Sequence, residues 1–271
     1  MSMYFGSNLK MNQGPGEAGH YVTQIGSWLA QRLVGQPEVQ VWLAVSFTNL
    51  EAAVVARRTS PLWIGAQNVH WADAGAFTGE ISAKQLKVCG ADFVLLGHAE
   101  RRTLFGENDE QISLKIRACT RHGLRVILCV GEPREIYQDG AGADFVERQL
   151  ERDLARLDAP DELLVLYEPV WSIGEGGQPA EFGYVDRALE HIHRFLGRRY
   201  PKGGDDVPVM YGGSVNASNA ADYAALPHCA GLGVGRAAWA GPDFVNLLGL
   251  CLARRRPVDS PLPVFPPVRS A

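Results

Sequence analysis

"LLVLYEPVWSIGEGG", residues 163–177, begins as an unbroken apolar run and ends in a glycine cluster, with one carboxylate, Glu168, at the junction. Apolar residues at successive rather than alternate positions mark a strand buried on both faces, the condition of a parallel sheet covered by helices. Seven more runs have this character: "MYFGSN" (3–8), "VQVWLAVS" (39–46), "LWIGAQN" (62–68), "DFVLLGH" (92–98), "LRVILCVGE" (124–132), "VPVMYGGS" (207–214) and "GLGVGR" (231–236). Most are flanked by segments of helical period; after the first, Tyr21, Ile25, Trp28, Leu29 and Leu33 share one helical face. Eight strands alternating with helices fit a closed (β/α)8 barrel or a doubly wound open sheet. No GxGxxG turn follows the first strand, which weighs against the dinucleotide-binding form of the open sheet.

The chain has 271 residues, a length one barrel domain can use in full, and we expect a single domain over residues 1–256. Beyond it, "RRRPVDSPLPVFPPVRSA" places five prolines in the last fifteen residues, and 257–271 reads as a proline-rich tail without chemistry. With 46% hydrophobic and 21% charged residues and a formal net charge of −4, the chain lacks the basic excess of a nucleic-acid binder. Its five scattered cysteines form no CxxC pair, so neither a disulfide framework nor a zinc cluster is expected. No leader or membrane-spanning stretch stands out, and the expectation is a soluble, cytoplasmic protein.

In a barrel the carboxyl ends of the strands meet at one mouth. Here those ends carry Asn8 and Lys10, Gln67 and Asn68, His98 and Glu100, Glu132, Glu168, Ser214 and Arg236. Any one of them is explained by a strand entering a polar loop; the whole set is not.

The ordered motifs "SNLKMN", "GAQNV", "FTGE", "LLGHAERR", "CVGE", "YEPVWSIG" and "YGGSV" resemble those of triosephosphate isomerases and their close relatives, over roughly residues 4–250. The resemblance implies the TIM barrel fold and cofactor-independent proton transfer through an ene-diol(ate), with no metal. It implies Glu168 as general base and His98 as the neutral electrophile, the pairing established for that family. Lys10 would draw in an anionic substrate and stabilise charge on its oxygen, with Asn8 orienting both. Glu100 either pairs with Lys10 or caps the following helix. "PVWSIGEGG" resembles the family's mobile lid, with Trp171 packing against the Glu132 loop and Tyr211 latching the closed state. Gly174, Ser214, Gly235 and Arg236 would then offer N–H groups to a phosphate.

Three features depart from triosephosphate isomerases: Ala99 stands where they have serine, Gly235-Arg236 replaces Gly-Gly, and the lid is longer. The last two, with "QNVHWADAGAFTGE" and "LPHCAGLGVGRAAW", are more similar to the L-erythrulose-1-phosphate isomerase branch, which implies a tetrulose phosphate as substrate and erythritol catabolism as the setting. Triosephosphate isomerase is the alternative. A metal-dependent barrel enzyme would need clustered ligands at several strand ends, and a non-catalytic binding protein would not need Lys10, His98 and Glu168 together. The 67–80 loop resembles one that inserts beside a neighbouring subunit's site, which implies a homodimer, with Trp71 and Phe77 buried outside their own barrel and Thr78 near the partner subunit's Lys10.

Overall fold

The computed structural model describes residues 2–33, 38–174 and 176–255. The expected domain limit at 256 and the tail 257–271 lie outside the described residues.

All eight apolar runs are strands: β1 (Met3–Asn8), β2 (Val39–Val45), β3 (Trp63–Ala66), β4 (Phe93–Leu96), β5 (Arg125–Val130), β6 (Leu163–Tyr167), β7 (Val209–Tyr211) and β8 (Gly231–Val234). They pair in parallel and in sequence order, and β8 pairs back onto β1 through Tyr4 and Gly231 to close the barrel. Closure leaves no sheet edge and brings every strand's carboxyl end to one face. The β7 run is shorter than the sequence suggests because Gly212 and Gly213 leave the strand directly after Tyr211.

Two cores flank the sheet. The outer one joins strands to helices; the helix Pro15–Arg32, for example, buries Ala18, Tyr21, Val22, Ile25 and Leu29 along one stripe. Its start is set by Pro15 in the first turn and by Glu17, whose carboxylate accepts the Gly14 N–H at 2.7 Å. The inner core fills the barrel with Trp42, Ala44, Phe93, Leu95, Ile127, Cys129, Leu164, Leu166 and Met210. Large residues there sit opposite glycines: a Cβ at Gly6 would lie 2.0 Å from the Trp42 ring, and one at Gly65 2.5 Å from Phe93. Trp42 and Phe93 meet edge to face at 5.8 Å. This packed interior is the floor on which the mouth residues stand.

Among the described residues no helix is long and apolar enough to cross a membrane.

Candidate active site

A cavity of about 410 Å³ opens at the carboxyl ends of the strands, lined by Asn8, Lys10, His98 and Glu168 on one side and by Gly174, Ser214, Gly235 and Arg236 on the other. Sequence positions 228 residues apart thus share one pocket because strand closure returns β8 to β1.

Lys10 follows β1 in a left-handed backbone conformation (φ 51°), which a non-glycine residue adopts only under constraint. Asn8 and Gln67 supply it. The Asn8 Oδ1 accepts the Lys10 N–H at 2.9 Å, and Gln67 Nε2 donates to Asn8 Oδ1 at 3.1 Å and to the Lys10 carbonyl at 2.9 Å. The Lys10 Nζ then reaches Glu100 Oε1 at 2.5 Å. Of the two readings open for Glu100, the ion pair is the one its side chain makes. Gln67, ambiguous in sequence as an ordinary strand-end residue, is the clasp of this loop.

His98 follows β4 by two residues and caps the helix Ala99–Phe105. Its Nδ1 accepts the Glu100 N–H at 3.2 Å, so Nδ1 carries no proton and the neutral ring bears its hydrogen on Nε2. That Nε2 faces Glu168, 3.7 Å from Oε1. Behind His98, Arg102 donates to the Gly97 carbonyl at 2.7 Å and is gripped by Asp109 at 2.6 Å and the buried Asp153 at 2.5 Å. Burial, with Asp109 nearby, outweighs Arg102 and pushes the Asp153 carboxyl up to about 7.

Glu168 is 6% exposed, and its Oε2 has no hydrogen-bond partner among the described residues. A buried carboxylate oxygen without a donor is costly, and a site that keeps one is set to receive a proton or a ligand. Cys129, not singled out in sequence, lies beneath it; burial foremost, then the adjacent Glu168 charge, pushes its thiol well above the ordinary range, so it stays protonated. Its signal was its place in "CVGE", at the end of a strand.

The segment after Glu168 is anchored at its base. The Val170 N–H donates to the Glu132 carbonyl at 3.0 Å, and Trp171 Nε1 donates to Glu132 Oε1 at 2.8 Å. The fully buried Glu132 carboxylate also accepts the hydroxyls of Tyr167 and Tyr184, at 3.0 Å and 2.9 Å. Burial first, and this carboxylate second, hold both phenols protonated and donating. Trp171 stacks on Tyr137 at 4.2 Å. Further on, Gly174 and Gly176 both have φ near 80°, a conformation that favours glycine.

The other side of the pocket differs from expectation at one residue. The Ser214 N–H, expected to face a phosphate, donates to Ser172 Oγ at 3.1 Å, because that buried hydroxyl reaches from the lid base over the end of β7. Ser172 also lies 3.3 Å from the Tyr211 hydroxyl, so Tyr211 meets the base of the lid. Gly174, Ser214, Gly235 and Arg236 line the cavity, and the exposed Arg236 guanidinium has no ion-pair partner among the described residues. In the 67–80 loop Phe77 is 45% exposed and Trp71 is half-buried, and both meet His70 at 4.2 Å. Among the described residues no three His, Cys, Asp or Glu side chains gather as a metal cluster.

The family model of triosephosphate isomerase matches residues 3–251. The L-erythrulose-1-phosphate isomerase of Rhizobium rhizogenes is 36% identical over 93% of this chain and 96% of its own length. The L-erythrulose-1-phosphate isomerase of Mycolicibacterium smegmatis is 38% identical over 93% of this chain and 94% of its own. The crystal structure of triosephosphate isomerase from Bartonella henselae superposes with a TM-score of 0.82 at 31% identity, covering 92% of this chain and 99% of that one. A match of this length in both sequence and fold has one reading: the chain belongs to the triosephosphate isomerase family.

Proposed function

We propose that this chain is a cofactor-independent sugar-phosphate isomerase that interconverts L-erythrulose 1-phosphate and D-erythrulose 4-phosphate. The observation that carries the reading is the facing pair of a buried, half-unpartnered Glu168 carboxylate and the His98 Nε2–H, within one pocket with Lys10. The names of the relatives support the four-carbon substrate.

In this mechanism Glu168 removes the proton from C3 of the ketose phosphate, and the C3–H electron pair forms the C2=C3 double bond. The C2 oxygen takes a proton from His98 Nε2, giving the ene-diol. His98 then takes the proton of the C3 hydroxyl while protonated Glu168 delivers its proton to C2, so the carbonyl has moved by one carbon and both residues are restored. Lys10, oriented by Glu100, stabilises negative charge on the oxygens. The phosphate sits among Gly174, Ser214, Gly235 and Arg236, and the lid excludes water from an intermediate that would otherwise lose phosphate.

The same machinery serves triose phosphates, and the 31% identical triosephosphate isomerase structure supports that second reading. Purified protein assayed against both substrates decides. We expect kcat/KM to be higher for L-erythrulose 1-phosphate, with solvent deuterium entering the reacting carbon. Turnover of glyceraldehyde 3-phosphate alone, near about 10⁸ M⁻¹s⁻¹, would establish the triose reading instead.

We further propose a homodimer acting in the cytoplasm, in the catabolism of a four-carbon polyol such as erythritol. Exposed Met11, Phe47 and Phe105, which line one pocket with Lys10, and exposed Phe77 support the dimer, and five scattered cysteines without a CxxC pair suit a reducing compartment. A fully active monomer in sedimentation at assay concentration would rule the dimer out.

A further inference from the structure

The ladder that closes the barrel ends one donor short, and a side chain supplies it. Tyr4 donates its N–H to the Ala230 carbonyl, so the even-numbered residues of β1 turn their N–H and carbonyl groups toward β8. The paired register stops at Ser7 and Val234, because β8 ends there and the chain turns at Gly235 (φ −92°, ψ −121°). In an unbroken ladder the Asn8 carbonyl would next accept the Arg236 N–H. It accepts the indole Nε1–H of Trp239 instead, at 3.0 Å. Trp239 is the last residue of "LPHCAGLGVGRAAW", and it lines the cavity with Asn8, Lys10, Gly235 and Arg236.

The tie also runs in the other direction. The Trp239 carbonyl accepts Gln13 Nε2 at 3.0 Å, and the preceding Ala238 carbonyl accepts the hydroxyl of the buried Tyr21 at 2.5 Å. Gln13 is itself held: its backbone is in the left-handed region (φ 66°), and its carbonyl accepts Nδ2 of the fully buried Asn49 at 3.1 Å. Three hydrogen bonds therefore join the stretch from Asn8 to Tyr21, which carries Lys10, to the turn from Arg236 to Trp239 beside Gly235. These are the two ends of the pocket that a phosphorylated ketose must span, with Lys10 at its reacting oxygens and Arg236 at its phosphate.

We propose that Trp239 is a positioning residue that sets the distance between Lys10 and the phosphate seat, and so brings the reacting carbon of a bound sugar phosphate to Glu168. This rests on the isomerase reading above and deepens it. Trp239 takes no part in proton transfer; it acts through the Asn8 carbonyl and through its own. A substrate misplaced by about 1 Å can lose on the order of 100-fold in rate, so a loosened tie shows in turnover before it shows in folding.

The test is Trp239→Phe, which keeps an aromatic ring against the core and removes the Nε1–H, and Gln13→Leu, which removes the second bond at similar volume, each checked for folding by its thermal midpoint. For both, kcat/KM is expected to fall about 10- to 100-fold on L-erythrulose 1-phosphate and by the same factor on dihydroxyacetone phosphate, since each carries its phosphate on the carbon next to the carbonyl. Ligand binding gives the readout that a merely structural role would not move. Sulfate fills the phosphate seat alone and should bind within about threefold of wild type, whereas 2-phosphoglycolate, whose carboxylate and phosphate span both ends, should weaken by about tenfold or more. Equal weakening of sulfate and 2-phosphoglycolate, or no change in either, would overturn the proposal. Wild-type inactivity on both sugar phosphates would sink the isomerase reading alone, since the ratio of the two affinities is measured without turnover.

Discussion

The two sides of the pocket are built by opposite means. On the side of β1, β4 and β6, side chains do the work and each is held by another: Gln67 clasps the Lys10 loop, Glu100 holds Lys10 and fixes the His98 tautomer through its N–H, and Arg102 supports the Gly97 carbonyl. On the side of β7, β8 and the lid, Ser214 and Arg236 stand among many glycines. Gly174, Gly176, Gly177, Gly212, Gly213, Gly233 and Gly235 leave bare backbone. Proton transfer needs atoms fixed to a fraction of an ångström, which only a braced side chain supplies. Anion capture and lid motion need backbone that a ligand can approach and that can bend.

If that division is right, the largest effect belongs to the braced side. Glu168→Gln keeps the shape and the floor contacts but cannot accept a proton. We expect kcat on either substrate to drop by about 10³-fold or more, with solvent-deuterium exchange lost in parallel and inhibitor binding retained. Residual exchange at the wild-type rate would show that another group is the base.

A second test concerns the brace itself. Asp153 has a carboxyl pushed up to about 7 by burial, against 3.8 unperturbed. The folded state therefore binds its proton more tightly than the unfolded state, so its contribution to stability is full below about pH 3.8 and is lost as pH rises through about 7. One pKa unit is about 1.4 kcal/mol, so the loss across that window of about three units is on the order of 4 kcal/mol. Thermal midpoints of wild type and Asp153→Asn, measured from pH 4 to pH 8, check it: the variant should lack this downward slope. Because Asp153 acts through Arg102 on the β4 end, the same rise in pH should leave the glycine side untouched, seen as unchanged binding of sulfate, which keeps its charge over this range.

The same division explains what could be read from sequence. The eight strands were legible because burial on both faces makes each an apolar run, and Lys10, His98 and Glu168 because a strand end seldom needs a charge or an imidazole. The hidden parts depend on pairs of residues distant in sequence. Gln67 looks like any polar exit from a strand until its amide is seen between Asn8 and the Lys10 carbonyl. Gly233 is one glycine in a glycine-rich run until its Cβ position is measured against Leu166 and Trp42. The Ser214 N–H looked free for a phosphate because nothing local shows that Ser172, forty-two residues earlier, reaches it.

The smallest effect is expected on the glycine side, at Ser214. Its Oγ makes a single marginal contact, 3.5 Å to the Gly177 carbonyl of the lid, while its N–H is held by Ser172. Ser214→Ala removes the hydroxyl and leaves the N–H in place. One hydrogen bond of ordinary strength is worth about 1 kcal/mol, so kcat/KM should fall by no more than about tenfold. Ser172→Ala is the sharper partner experiment, because that buried hydroxyl accepts the Ser214 N–H and adjoins the Tyr211 hydroxyl, which burial keeps protonated. Its loss unties the lid base from the end of β7 and should exceed the Ser214 effect. Should Ser214→Ala instead approach the loss at Glu168, this side would depend on a side chain after all, and the contrast between braced chemistry and bare-backbone binding would fail.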